Sequence, residues 1–256
     1  MLKVPRFNEN GEQIISEING INSDMLMNIK VKRFKTGDSV LFNDEHNETA
    51  FMILSGDVEI SYQGEKRVMK RENPFEKKPY CLHIPKQVEV EITANLDSEI
   101  IIQQTENDII FTPVFYTPKD CSYEEFGKDQ WNGTGHRVVS TIFDLSNAPY
   151  SNMVLGEVYN LPGKWSSYPP HHHPQPEVYY YKFDRPEGFG ACFLGDDVHK
   201  SADSSYCAIK GGNAHQQVVA PGFTMYYVWL IRHLDGNPWD KTRIYADGYE
   251  WLAKSK

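Results

Sequence analysis

A chain of 256 residues with a net charge of −9 has room for one large or two small domains, and it offers no broad basic footprint for nucleic-acid phosphates. Charged residues make up 24% and hydrophobic residues 40%, which is the balance of a packed globular core and not of a disordered chain. No run approaches the roughly 18 uninterrupted apolar residues of a membrane span.

The N-terminal Met1-Leu2-Lys3-Val4-Pro5-Arg6 lacks the apolar stretch of a signal peptide. Cys81, Cys121, Cys192 and Cys207 are widely spaced, form no C-x-x-C pair, and read as thiols of a reducing compartment. A soluble cytoplasmic protein with no membrane or nucleic-acid partner is expected.

Residues 1–26 show no clear periodicity. From Met27 to Lys32 apolar and polar residues alternate, which predicts a strand. Ala50–Leu54 and Val58–Tyr62 flank Ser55-Gly56-Asp57, and a hairpin about that glycine is the simplest reading. Residues 81–85, 88–92 and 99–103 continue the strand series. The polar, turn-rich residues 106–135 break the rhythm, apart from a short strand at Val114-Phe115-Tyr116. A second series follows at 136–143, 154–159, 177–183, 190–194, 206–209 and 224–231. No segment sustains helical periodicity. The expectation is all-β, with two tandem jelly-roll barrels: residues 1–115, a connection at 116–135, and residues 136–256.

The chemistry concentrates in Lys164-Trp165-Ser166-Ser167-Tyr168-Pro169-Pro170-His171-His172-His173-Pro174-Gln175-Pro176-Glu177. Residues of equal parity share one face of a strand, so an inward Glu177 brings Tyr179 and Tyr181 with it. The same parity carried backwards selects His171 and His173 over His172, although the intervening prolines leave His172 open in place of either. His215, beyond Gly211-Gly212, supplies a third imidazole. Three imidazoles and a carboxylate suit Zn, with Mn, Fe or Ni also compatible, and leave coordination positions for a substrate. A solvated histidine loop is the bland alternative.

H-x-H-x(3)-E followed by G-x-x-H on an all-β background resembles the two metal motifs of the cupin superfamily. Gly163–His171, Glu177–Tyr181, Gly188-Phe189-Gly190, Asn73–Lys86 and Leu54–Val58 further resemble the 5-deoxy-glucuronate isomerase family of myo-inositol catabolism. That resemblance implies a bicupin fold with the metal in the C-terminal barrel and a metal-free N-terminal barrel. The ligands it implies are His171, His173, Glu177 and His215.

It also implies an aldose–ketose isomerase that converts 5-deoxy-D-glucuronate to 5-dehydro-2-deoxy-D-gluconate. For that reaction Tyr179 and Tyr181 are the candidate proton-handling groups, Gln217 shares parity with His215, and Lys164 and Arg185 are the sequence-near cations for the substrate carboxylate. A non-catalytic sugar-binding cupin and a cupin oxygenase are the alternatives that the same residues allow. Association into a homo-oligomer is compatible with the fold by analogy.

Overall fold

The computed structural model describes residues 6–254. The chain separates into two compact units: one runs up to Cys121 and takes in Ser146–Asn152, and the other comprises Ser122–Leu145 and Met153 onward. Among the described residues both are built from antiparallel strands, with only short 3-10 turns besides. Among the described residues no helix is long and apolar enough to cross a membrane.

The first unit contains β1 (Glu12–Ser16), β2 (Asn28–Phe34), β3 (Ser39–Phe42), β4 (Asn47–Tyr62), β5 (Glu65–Arg71), β6 (Cys81–Ile84), β7 (Val90–Ala94), β8 (Ser98–Glu106) and β9 (Val114–Tyr116). The order β1-β2-β8-β4-β6-β9 makes one ladder, while β3-β7 and β5 attach to the far end of β4. Phe51, Ile53, Val58, Ile60, Leu82, Val90, Ile92, Ile100 and Ile102 fill the space between, all fully buried or nearly so. Each such side chain removed from water contributes about 1.5–3 kcal/mol to the core.

Two sequence expectations change here. Glu12–Ser16, which shows no clear alternation, becomes β1 because β2 offers it a free ladder edge. Residues 50–54 and 58–62 are not two arms of a hairpin but one 16-residue strand, β4. Gly56 lies in that strand at φ +110°, and a Cβ there would stand 2.1–2.6 Å from Ser98. The glycine admits the close approach of β8 where the register slips between Ile53 and Ser55, so β4 bends from one ladder into the next without reversing. The reversal comes later, at Gln63-Gly64, where both residues have positive φ and β5 pairs back onto β4.

The second unit contains β10 (Glu124–Phe126), β11 (Arg137–Phe143), β12 (Met153–Asn160), β13 (Trp165–His172), β14 (Glu177–Phe183), β15 (Phe189–Leu194), β16 (Asp197–Ala202), β17 (Tyr206–Ile209), β18 (His215–Val219), β19 (Met225–Arg232) and β20 (Ile244–Tyr245). They form two sheets, β10-β11-β12-β19-β14-β17 and β16-β15-β18-β13-β20. Residues 124–126, inside the stretch expected to connect two domains, are therefore an edge strand of this unit.

The inner faces of the two sheets meet in one apolar cluster. Val154, Tyr179, Tyr181, Met225, Tyr227, Trp229 and Ile231 come from the six-stranded sheet, and Cys192 and Val219 from the five-stranded one. In β13 the pairing with β18 is interrupted between Ser166 and His171. Pro169 and Pro170 lie in that gap, where a residue without an N–H forfeits no ladder bond. Pairing resumes at His171, directly opposite His215.

Candidate metal centre and sugar-acid cavity

The interruption in β13 and the start of β18 bring two histidines to one end of the second unit. His171 lies at the end of β13, His215 opens β18, and their rings are 4.9 Å apart between centroids. Glu177, the first residue of β14, faces them from the other sheet. One of its oxygens, Oε2, is 3.2 Å from His215 Nε2 and 3.3 Å from His173 Nε2. His173 reaches this point from the short turn between β13 and β14. All four residues are buried, none more than 5% exposed.

The orientation of each ring is set by what its other nitrogen touches. His215 Nδ1 lies 3.0 Å from the Asn213 carbonyl, and His171 Nδ1 lies 2.8 Å from the Pro169 carbonyl. A carbonyl oxygen can only accept, so in both residues Nδ1 carries a proton, and in the neutral ring the lone pair is on Nε2. For His215 that lone pair is aimed toward an oxygen of Glu177, and the buried Nε2 makes no hydrogen bond. Two acceptors facing each other at that distance repel unless a cation or proton lies with them. Backbone carbonyls that fix Nδ1 and leave Nε2 free are the outer-shell arrangement of metal-binding histidines.

The ionisation of the group follows from the same contacts. Burial works to raise the Glu177 carboxyl, but the imidazoles of His173 and His215 outweigh it and hold it at about 2. Burial disfavours charge on His215, and the Glu177 carboxylate overrides this and raises it. His171 goes the other way: burial, then His215 and Arg243, push it well below the ordinary imidazole value. His171 is thus a neutral nitrogen donor beside an anionic Glu177. His173, Glu177 and His215 offer ligand atoms within 4.8 Å of one another. His171 stands next to this group, on the same cavity wall. The donor set, buried imidazole and carboxylate with an orphaned Nε2, fits a divalent transition metal.

A cavity of about 440 Å³ opens over these residues. His171, His173, Glu177 and Tyr179 line it, together with Ser167, Tyr227, Trp229, Trp239 and Tyr245. Trp239 packs 6.1 Å from the His173 ring and 5.7 Å from Trp229, so one wall is aromatic. Arg137, Lys241 and Arg243 also reach the cavity.

A family model described as the KduI/IolB family matches residues 1–252. The chain belongs to that family. Among curated relatives it is 25% identical over 275 residues to the 5-deoxy-glucuronate isomerase of Bacillus subtilis (strain 168), covering 99% of this chain and 98% of that one. Among solved structures, an IolB-like protein from Salmonella typhimurium LT2 superposes with a TM-score of 0.87 at 21% identity, covering 97% of this chain and 98% of the other. A cupin 2 conserved barrel domain protein from Leptotrichia buccalis gives a TM-score of 0.53 at 12% identity over 86% and 88%. The architecture of this KduI/IolB chain is accordingly all-β and of the cupin kind.

Within this KduI/IolB member the residues singled out from sequence separate into two groups. His171, His173, Glu177 and Tyr179 line the cavity and His215 stands behind Glu177 at 3.2 Å, while His172 is half-buried and does not line it. Tyr179 is buried and shares a hydrogen bond of 2.8 Å with Ser167 Oγ. Burial, then the Glu177 charge, pushes its phenol well above the usual value.

Tyr181 and Gln217 lie one layer deeper, outside the cavity lining, where the Tyr181 hydroxyl donates to Gln217 Oε1 at 2.6 Å. Gln217 Nε2 in turn donates to Cys192 Sγ, itself 2.7 Å from Cys207 Sγ. All four cysteines are free thiols and buried. Gln217 is thus occupied in holding the core and is not presented to a ligand.

The two cations expected to meet a substrate are also elsewhere. Lys164 is outside the cavity lining, and Arg185 is exposed beside Glu187 at 4.0 Å. Lys164 lies in the turn between β12 and β13 and Arg185 in the turn between β14 and β15, and neither turn brings its cation to the cavity. The cations that do reach it come from β11 and from the segment before β20. Arg137 had a signal, since Arg137, Val139 and Thr141 share one parity of β11 and all three line the cavity. Lys241 and Arg243 lie outside any regular element before β20, and no periodicity points to them.

Proposed function

We propose that this chain is a metal-dependent aldose–ketose isomerase of a deoxy-uronic acid, with 5-deoxy-D-glucuronate as substrate and 5-dehydro-2-deoxy-D-gluconate as product. The carrying observation is the buried Glu177 carboxylate facing His173 and His215 on the wall of a cavity large enough for a six-carbon acid, in a chain that is classed as an isomerase of the KduI/IolB family. Each unit is, in this reading, one jelly-roll barrel of a bicupin. The metal belongs to the second barrel, held by His171, His173, Glu177 and His215, and Zn is the ion proposed.

The reaction transfers a proton between neighbouring carbons while a carbonyl and a hydroxyl exchange places. A bound divalent cation supplies Lewis-acid stabilisation of the charge that develops on those two oxygens. The protein provides the rest. Trp229, Trp239 and Tyr227 cover the cavity wall and keep bulk water from the intermediate. Tyr179, protonated at neutral pH by virtue of its raised phenol, presents an O–H to a substrate oxygen and acts as a proton donor there. Ser167, bonded to that hydroxyl, holds its direction.

The test is turnover. Purified protein of measured metal content is mixed with 5-deoxy-D-glucuronate, and the ketose is followed by chromatography and NMR. Formation of the ketose without oxygen uptake is expected. Full metal occupancy with no product removes the isomerase reading, and oxygen consumption would assign the cavity to an oxygenase.

A further inference from the structure

Arg137 is 5% exposed, yet it lines the cavity that contains Glu177 and Tyr179. Its Nη1 donates to the Gly135 carbonyl at 2.9 Å, and its guanidinium lies over the Phe126 ring at 5.5 Å. Neither partner carries negative charge. Arg243 reaches the same cavity from the segment before β20 and is close enough to disfavour the Arg137 charge. Among the described residues no carboxylate is within ion-pair distance of either guanidinium. Lys241, the third cation at the cavity, is different: Asp144 neutralises it at 2.8 Å. Glu124, exposed on the cavity rim, pairs with neither arginine.

A guanidinium withdrawn from water without a counter-ion is costly, and a protein retains one where an anion completes the site. Two guanidiniums that repel each other and share a cavity make that requirement stronger. A planar carboxylate matches the fork of N–H donors that Arg137 has left after Gly135 takes one.

We propose that Arg137 and Arg243 form the carboxylate-binding clamp of the cavity, and that they select sugar acids over neutral sugars. The inference rests on the sugar-acid reading above and assigns its recognition element. The clamp fixes the acid end of the substrate against β11, so the aldehyde end extends toward Glu177 and the imidazoles. The residues that would hold a metal then face one end of the molecule and the arginines the other. Specificity thereby rests on residues far in sequence from the histidine motif.

The experiment compares acid and neutral ligands in the metal-loaded wild type, Arg137→Gln, Arg137→Lys and Arg243→Gln. Isothermal calorimetry measures binding of D-glucuronate and D-glucose, and kinetics measures kcat/KM for 5-deoxy-D-glucuronate and its neutral C6-alcohol counterpart. Wild type is expected to favour the acid, and Arg137→Gln to lose about 30-fold or more of that preference, as when a buried charge partner is removed. Arg137→Lys restores part of it, and Arg243→Gln lowers it as well. The loss is expected in KM and in binding, and to be larger for the acid than for the neutral sugar.

Equal losses for acid and neutral ligands overturn the clamp, as does a wild type with no preference. Binding of the acid without turnover leaves the clamp standing and removes the isomerase reading. If Arg137→Gln does not fold, judged by its melting curve, the exposed Arg243 decides: an unchanged preference in Arg243→Gln overturns the proposal.

Discussion

Glu177 and His215 meet at 3.2 Å from opposite sheets, and the nitrogen of His215 that faces the carboxylate forms no hydrogen bond. The two groups attract when a bound cation lies with them or when His215 carries a proton on Nε2. In a metal-loaded protein, Glu177→Gln removes the anionic ligand and leaves His215 Nε2 facing a neutral amide. Metal affinity is expected to fall by more than the 10–100-fold that loss of an outer-shell partner typically causes, since a first ligand is removed. Elemental analysis after dialysis against a graded chelator reads this directly. Retention of wild-type metal content in Glu177→Gln would separate this carboxylate from the ion.

Tyr179 and Tyr181 have the same parity in β14 and different surroundings, so the same substitution should have opposite consequences. Tyr179→Phe removes a hydroxyl that faces the cavity; its partner Ser167 retains Tyr227 within 3.5 Å. Stability is expected to hold while kcat falls by about 100-fold, the low end for a positioned proton donor. Tyr181→Phe strips a buried Gln217 oxygen of its donor and should cost about 1–3 kcal/mol of stability. Its effect on kcat should be small. Thermal melts paired with kinetics on both variants distinguish the two roles, and identical behaviour would contradict the assignment.

The pair also marks what a sequence can disclose. Period-two parity placed Glu177 and Tyr179 on the cavity side and set His172 apart from His171 and His173, because a strand fixes direction at every second residue. Parity says nothing of depth, so Tyr181 looked equivalent to Tyr179 although Gln217 covers it. β14 and β17 were legible to the residue, since both are apolar and bounded by turn residues. β13 was not, because its prolines disguise a strand whose ladder is interrupted at that point. The bend in β4 was misread as a turn because glycine serves both purposes, and only the approach of Ser98 separates them. Arg243 could not be foreseen as a cavity cation at all, since its position depends on a segment without regular structure.

Gly156 lies in β12 opposite Trp229 of β19, and a Cβ on Gly156 would come within 2.2–2.6 Å of the indole ring. Rigid backbone holds both, so the indole has to move. Trp229 also lines the cavity, which ties a strand glycine to the shape of the binding site. Gly156→Ala is expected to destabilise the protein by about 1–3 kcal/mol, the range for overpacking a core. It should also shift the tryptophan emission and raise KM. A fully wild-type melting curve together with unchanged emission would show that the sheet yields there instead.

Asp44 gives the first unit a defined acid limb. Its Oδ1 accepts from the backbone N–H groups of His46 and Asn47 and from the Asn47 amide, and its Oδ2 accepts from Gln104 Nε2. Burial acts to raise the carboxyl, but the Asn47 and His46 hydrogen bonds outweigh it and hold it below the ordinary value of 3.8. A carboxyl depressed in the folded state binds fewer protons there than in the unfolded chain. Its stabilisation is therefore complete above the unfolded pKa and disappears as pH falls through the folded one. Asp44→Asn should be less stable than wild type by about 1 kcal/mol at neutral pH, the scale of one net hydrogen bond. The difference should close between pH 4 and the acid end of the folded range, because protonation does to wild type what the substitution has already done. Urea midpoints measured from pH 7 downward test this: wild type should show the steeper decline, and two parallel curves would exclude Asp44 as the group responsible.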